Sequence, residues 1–213
     1  MMMPLLFNLN DKTALVIGGG QVAARKISAL LGNGAGVVCI SPEFSERIRE
    51  MKNERLNLVQ GYYERKWLKE IDLAVAATDC RELNRQIKAD CASEKIWCNR
   101  ADDPDDSDFI FPSVIRRGDL TVSVCTEGAS PFLTKSIVAD LSKQYDESYA
   151  ERTELLRVLR KHILAGDETR KEKAEKLEAF SRCSLAALRE KCKEIRNPVA
   201  KDKRTQEELE KNR

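Results

Sequence analysis

Three consecutive glycines, Gly18-Gly19-Gly20, separate a short apolar run from a helical stripe, and this junction limits the folds open to the chain. Residues 12–17 read as a buried strand. After the glycines, Ala23, Ile27, Leu30 and Leu31 recur at helical spacing until Gly32-Asn33-Gly34 stops the pattern. The result is strand, tight turn, helix. Within it, Gly18-x-Gly20-x-x-Ala23 matches the dinucleotide fingerprint. In that motif one glycine permits the turn, another lets backbone approach a pyrophosphate, and the helix amino terminus receives the phosphate charge. Without the flanking strand and helix the same residues would read as a plain glycine turn.

The pattern continues in the same style. Strands are expected at 37–40, 56–59, 71–77 and 96–99, with helices at 44–52 and 80–94. Short apolar strands alternating with helices require crossover connections, hence a parallel sheet covered on both faces. Beyond Asp102 the pattern changes. Two strand-like runs, 109–116 and 120–125, flank Arg117-Gly118-Asp119 and read as an antiparallel hairpin. Pro131 then opens a helix striped by Leu133, Ile137, Leu141 and Tyr145. Two further helices carry Leu155, Leu156, Leu159, Ile163 and Leu185, Leu188, Cys192, Ile195, divided by Gly166-Asp167. The expected fold is α/β: a Rossmann-like parallel sheet over residues 1–112, a small α+β dimerisation segment over 113–148, a helical domain over 149–197 and a charged tail over 198–213.

Composition removes several classes of function. Lys and Arg number 37 against 35 Asp and Glu, so a net charge of +2 gives no general attraction to nucleic acid or membrane. No apolar run approaches the roughly 18 residues of a membrane helix, and the amino terminus lacks a basic leader, so a cytoplasmic location is expected. The single histidine, His162, excludes a histidine-rich metal site, and its neighbours Arg160 and Lys161 suggest a polar helix face rather than a Ser-His-Asp triad. Seven scattered cysteines without a C-x-x-C pair read as small apolar residues in a reducing compartment, and no metal site is expected.

In a parallel sheet the carboxyl ends of all strands face one edge, where ligands bind. Four such ends carry notable residues: Gly18 to Val22, Ser41-Pro42-Glu43, Ala77-Thr78-Asp79, and Asn99 to Asp102. Glu43, just past the end of the second strand, suits a ribose and favours NAD over NADP. These residues also have a plain reading as turn residues.

Several runs together resemble the precorrin-2 dehydrogenase family, which includes the amino-terminal half of siroheme synthase and the bifunctional dehydrogenase and ferrochelatase of yeast. They are Pro4-Leu5-Leu6-Phe7-Asn8-Leu9, the glycine loop, Ala76-Ala77-Thr78-Asp79, Cys98-Asn99-x-x-Asp102, Phe109-Ile110-x-Pro112-Ser113 and Gly128-Ala129-Ser130-Pro131, covering about residues 3–150. The resemblance implies oxidation of precorrin-2 to sirohydrochlorin with NAD, on a homodimer, and in several members insertion of ferrous iron in the same cleft; a cobaltous ion is the other candidate substrate. It implies Asp102 as the catalytic carboxylate and Gln21-Val22 and Pro42-Glu43 as nucleotide contacts, which join Gly18, Gly20, Ser41 and Thr78. Asn99, Arg100, Ser113, Thr126 and Ser130 are expected on the substrate side, Thr126 where a phosphorylatable serine stands in the bacterial fused enzyme.

Two residues depart from the family pattern. Arg100 stands where an apolar residue is common, and either binds a carboxylate-rich substrate or faces solvent. Glu127 stands where glycine is common and disfavours an anion beside it unless it points away. The chemistry itself asks for one carboxylate: hydride loss leaves the substrate cationic, a proton must follow, and metal insertion likewise releases two pyrrole protons. Asp102 is best placed by its strand position, whereas Asp103, Asp105 and Asp106 read as a solvated acidic loop. Two other functions compete, an NAD-binding regulatory module and a non-catalytic tetrapyrrole-binding protein. The first normally has an acidic residue ending the second strand and lacks the hairpin followed by Ser-Pro. The second would bind sirohydrochlorin without reducing NAD.

Overall fold

A computed structural model describes residues 2–196, so the expected charged tail lies outside the described residues. The chain divides into two compact units, one of residues up to Pro112 together with Glu127–Ser130, the other of Ser113–Thr126 and the residues from Pro131 onward.

The first unit is the expected parallel sheet. Strands β1 (Thr13–Ile17), β2 (Gly36–Ser41), β3 (Leu56–Gln60), β4 (Leu73–Ala76) and β5 (Trp97–Arg100) lie in the order β3-β2-β1-β4-β5, all parallel. Alternation along β1 feeds two cores. Ala14 and Val16 pack with Ala23, Ala24, Ile27 and Leu30 of helix α1 (Gln21–Gly32), while Leu15 and Ile17 pack with Ile87 and Cys91 of helix α3 (Arg81–Ser93). Because β1 has β2 on one side and β4 on the other, the strand order reverses there, and the crevice forms at their carboxyl ends.

Two details differ from expectation. The helix expected over 44–52 is one turn, α2 (Glu46–Arg49), with only Ile48 buried. The strand expected from 109 begins at Ser113, since Phe109 and Phe111 instead pack against the sheet's core beside α1 and Pro112 has no N–H to donate to a ladder.

In the second unit, β6 (Ser113–Arg117) and β7 (Leu120–Val124) form the antiparallel hairpin, with Gly118 at φ +56° in its turn. Helices α4 (Pro131–Gln144) and α5 (Ser148–Ala165) pack on it, and α5 shares a small core of Leu159, Leu188 and Cys192 with α7 (Leu185–Arg196). Between α5 and α7 lies α6 (Arg170–Ser181), a helix without a buried residue. No apolar stripe betrays it in the sequence, and it is held at its start by a capping box in which Thr169 and Glu172 exchange hydrogen bonds. No helix among the described residues is long and apolar enough to cross a membrane.

Candidate active site

The glycine loop is drawn tight by its neighbours. Gly18 N donates to Ile40 O at 2.9 Å, and Ser45 N donates to Gly19 O at 2.8 Å. Gly18 has φ +121°, and a Cβ there would lie 2.2 Å from Ala77 O, so this glycine lets the end of β1 touch the end of β4. At Gly19 a Cβ would lie 1.8 Å from Glu43 O, which makes it as obligatory as Gly18 for a different reason. Sequence spacing does not single Gly19 out, because its constraint comes from the β2 loop. At Gly20 a Cβ would meet nothing within 4 Å.

Gly20 is also the N-cap of α1, with no side-chain cap and no acidic residue in the first turn. Ala24 N closes the first helical bond to Gly20 O, leaving the amides of Gln21, Val22 and Ala23 without an intrahelical acceptor. The helix therefore presents its positive end to an anion with no competing carboxylate. Ser41 is buried beneath this loop, whereas Pro42 and Glu43 are exposed at its margin.

Across the switch point, the loops after β4 and β5 are joined by Asn84 of α3, which is fully buried. Its Oδ1 accepts from Thr78 N (3.1 Å) and Thr78 Oγ1 (2.7 Å), and its Nδ2 donates to Thr78 O (3.0 Å) and to Asp102 Oδ1 (3.0 Å). The other carboxylate oxygen of Asp102 accepts from Arg100 Nη2 at 2.8 Å, and Arg81 Nε stands 3.9 Å from it. Burial alone would push the Asp102 carboxyl up, but the hydrogen bond from Arg100, its charge and the bond from Asn84 prevail and hold it below its ordinary value.

Arg100 neither faces solvent nor extends free towards a ligand. It is 4% exposed, and its Nη1 reaches Asp106 at 2.6 Å and Asp103 at 3.3 Å. The acidic run expected to be a solvated loop is thus partly folded around a buried guanidinium, whose pKa the bonds to Asp102 and Asp106 raise. Asn99 is 3% exposed; its Nδ2 donates to Phe109 O at 2.8 Å, and its buried Oδ1 has no hydrogen-bond partner.

Gly18, Gly20, Gln21, Val22, Ser41, Pro42, Glu43, Thr78, Asn99, Arg100 and Asp102 thus share the carboxyl edge of one sheet. Ser130 is half-buried in the segment that groups with this unit, and in the same segment Glu127 sits in the left-handed region at φ +49° and accepts from Met2 N at 3.4 Å. That backbone conformation is one that glycine adopts at little cost and other residues rarely adopt. Ser113 and Thr126 belong to the second unit, where Ser113 pairs in register with Val124 and Thr126 Oγ1 lies 3.2 Å from the buried Thr134 Oγ1. Of the cysteines, 39, 91, 98 and 192 are buried as expected, but Cys80 and Cys125 are exposed. Among the described residues no three His, Cys, Asp or Glu side chains are arranged to hold a metal ion.

Residues 5–113 match the family model described as "Putative NAD(P)-binding". The precorrin-2 dehydrogenase of Priestia megaterium is 32% identical over 200 residues, covering 91% of this chain and 98% of that one. The siroheme synthase of Psychrobacter sp. (strain PRwf-1) is 31% identical over 161 residues, and the chain spans 33% of that protein's length. Among solved structures, "SirC, precorrin-2 dehydrogenase" is similar with a TM-score of 0.75 and 30% identity, covering 92% of this chain and 100% of that one. A match along nearly the whole of both chains, in sequence and in fold, places this chain in the precorrin-2 dehydrogenase family.

Proposed function

We propose that this chain oxidises precorrin-2 to sirohydrochlorin with NAD. The observation that carries the reading is Asp102, a carboxylate fixed at the same sheet edge as an uncapped, acid-free glycine loop. The residues suit a dinucleotide. The open space at Gly20 and the amides of Gln21 and Val22 would hold the pyrophosphate, Gly18 and Ser41 shape the loop, and Pro42-Glu43 and Thr78 border the nucleotide. Glu43 accepts hydrogen bonds from ribose hydroxyls and repels a 2′-phosphate, which favours NAD over NADP. NAD supplies the two-electron acceptor. The substrate gives up a hydride and becomes cationic; Asp102 then takes its proton and passes it to water, so the balance is precorrin-2 and NAD⁺ to sirohydrochlorin, NADH and H⁺.

A low carboxyl pKa is compatible with this role because a proton leaving a cation is itself acidic. Asn99 holds the end of β5 through its bond to Phe109 O, Ser130 is a further substrate contact, and Arg100 acts through Asp102. Two copies form the working enzyme, in the cytoplasm. Insertion of a ferrous or cobaltous ion as a second substrate would use the same proton acceptor, and the likeness to siroheme synthases supports testing it.

The test is anaerobic incubation with precorrin-2 and NAD, followed by addition of ferrous ion, with absorbance reporting NADH, sirohydrochlorin and metallated product separately. NADH should appear one for one with sirohydrochlorin. In Asp102→Asn, which keeps size and polarity, turnover should fall on the order of 10² to 10⁴ with NAD affinity little changed. Binding of sirohydrochlorin without any NAD reduction would instead make this chain a carrier.

A further inference from the structure

Asn84 occupies all of its hydrogen-bonding capacity within two loops of the site: two bonds accepted at Oδ1 and two donated from Nδ2. Its orientation is not free. The Thr78 backbone N–H is an obligatory donor, so Oδ1 must face it, and the amide's NH₂ end must then face Asp102. A buried donor aimed permanently at Asp102 Oδ1 favours the ionised carboxylate, because a proton on that oxygen would oppose the N–H.

We propose that Asn84 is the positioning residue of this site, tying the loop after β4 to Asp102 and keeping that carboxylate ionised and aimed. The proposal rests on the reading of Asp102 as proton acceptor. The other charged groups facing Asp102 are Arg100 from β5, at 2.8 Å, and the exposed Arg81 from α3, at 3.9 Å. Asp103 and Asp106 act on it through Arg100, sharing the guanidinium and weakening its pull. Arg100 thus supplies charge, whereas Asn84 alone of these also grips the backbone of the neighbouring loop.

The informative variant is Asn84→Asp. It preserves volume and the acceptor for Thr78 N and Oγ1, but replaces the donor that faces Asp102 and Thr78 O with a carboxyl oxygen, so that two carboxyls at hydrogen-bond distance share a proton. The acid limb of the kcat/KM profile should move up by at least about one pH unit, with NAD affinity measured by calorimetry changed less than about twofold. In an Asp102→Asn background the same change should produce no further shift. Asn84→Ser, whose hydroxyl leaves room for a water, provides a second variant in which the limb moves up by less and kcat falls more than KM changes. A profile superimposable on wild type in both Asn84 variants, while Asp102→Asn still loses turnover, overturns this inference alone. Wild-type turnover in Asp102→Asn overturns the underlying reading and this inference with it.

Discussion

The three adjacent glycines are chemically identical and structurally unlike. Gly18 is held at positive φ against Ala77 O, Gly19 is pressed on Glu43 O, and Gly20 faces open space in a conformation any residue adopts. Gly18→Ala and Gly19→Ala should therefore each lose about 1 to 3 kcal/mol of stability, read by denaturant unfolding. Gly20→Ala should keep the wild-type Tm yet weaken NAD at least about tenfold, because its methyl group obstructs only the ligand. An unchanged NAD affinity in Gly20→Asp would remove the loop from the nucleotide site. Of these roles the spacing of the motif reveals Gly18 and Gly20, but Gly19 and Asn84 depend on chain segments brought close only by folding. Arg100 was ambiguous in sequence for the same reason, since its partners lie on a loop whose path no local pattern specifies. Its pairing has a pH signature. A carboxyl held below its ordinary value of 3.8 adds stability that is fully present above that value and disappears as pH falls through the lowered one. Arg100→Leu should accordingly be less stable than wild type at neutral pH, and the gap should narrow on acidification below about pH 4 in urea titrations.

At the level of elements, the α/β alternation was legible because buried parallel strands and amphipathic helices write different periods into the sequence. The misses share a cause. α6 has no fully buried residue and only Phe180 packs, half-buried, on the core of Leu159, Leu188 and Cys192, so its stripe is too weak to read and the Thr169-x-x-Glu172 box is its clearest mark. Thr169→Ala should thus reduce protection of the α6 amides by about 1 kcal/mol in hydrogen exchange while leaving α1 untouched. Phe109 and Phe111 imitate a strand by alternation, yet what they satisfy is the core beside α1. Lys26 of α1 lies 4.2 Å from the centroid of the Phe111 ring, and burial followed by repulsion from Arg25 lowers its pKa from 10.5 to about 8. Because the unfolded chain binds the proton more tightly, this lysine opposes folding most strongly below pH 8, and the penalty fades as pH rises to 10.5. Lys26→Met should raise the Tm at pH 7, with the advantage vanishing at alkaline pH; an equal gain at both would show that packing rather than charge is responsible.

For the whole molecule, the two units differ in how well each covers its own apolar surface. The five-stranded sheet has helices on both faces, whereas the second unit's sheet has only two strands, a number rarely stable without further cover. On α4 only Thr134 is buried, although the helix carries Phe132, Leu133, Ile137, Val138 and Leu141; Phe132 is 83% exposed, and Val114 on β6 is 47% exposed. Such a surface on a nearly neutral chain is most simply covered by the same surface of a second copy, since two-fold homodimers are the commonest closed assembly. Sedimentation at micromolar concentration should therefore give a homodimer. Phe132→Glu, which places a charge in the middle of that surface, should shift the chain towards monomer by at least about tenfold in the dissociation constant. Because Phe132 belongs to the second unit and the glycine loop to the first, NAD affinity in this variant should remain that of wild type. A wild-type chain that sediments as a monomer would mean that α4 keeps its apolar residues exposed for another partner.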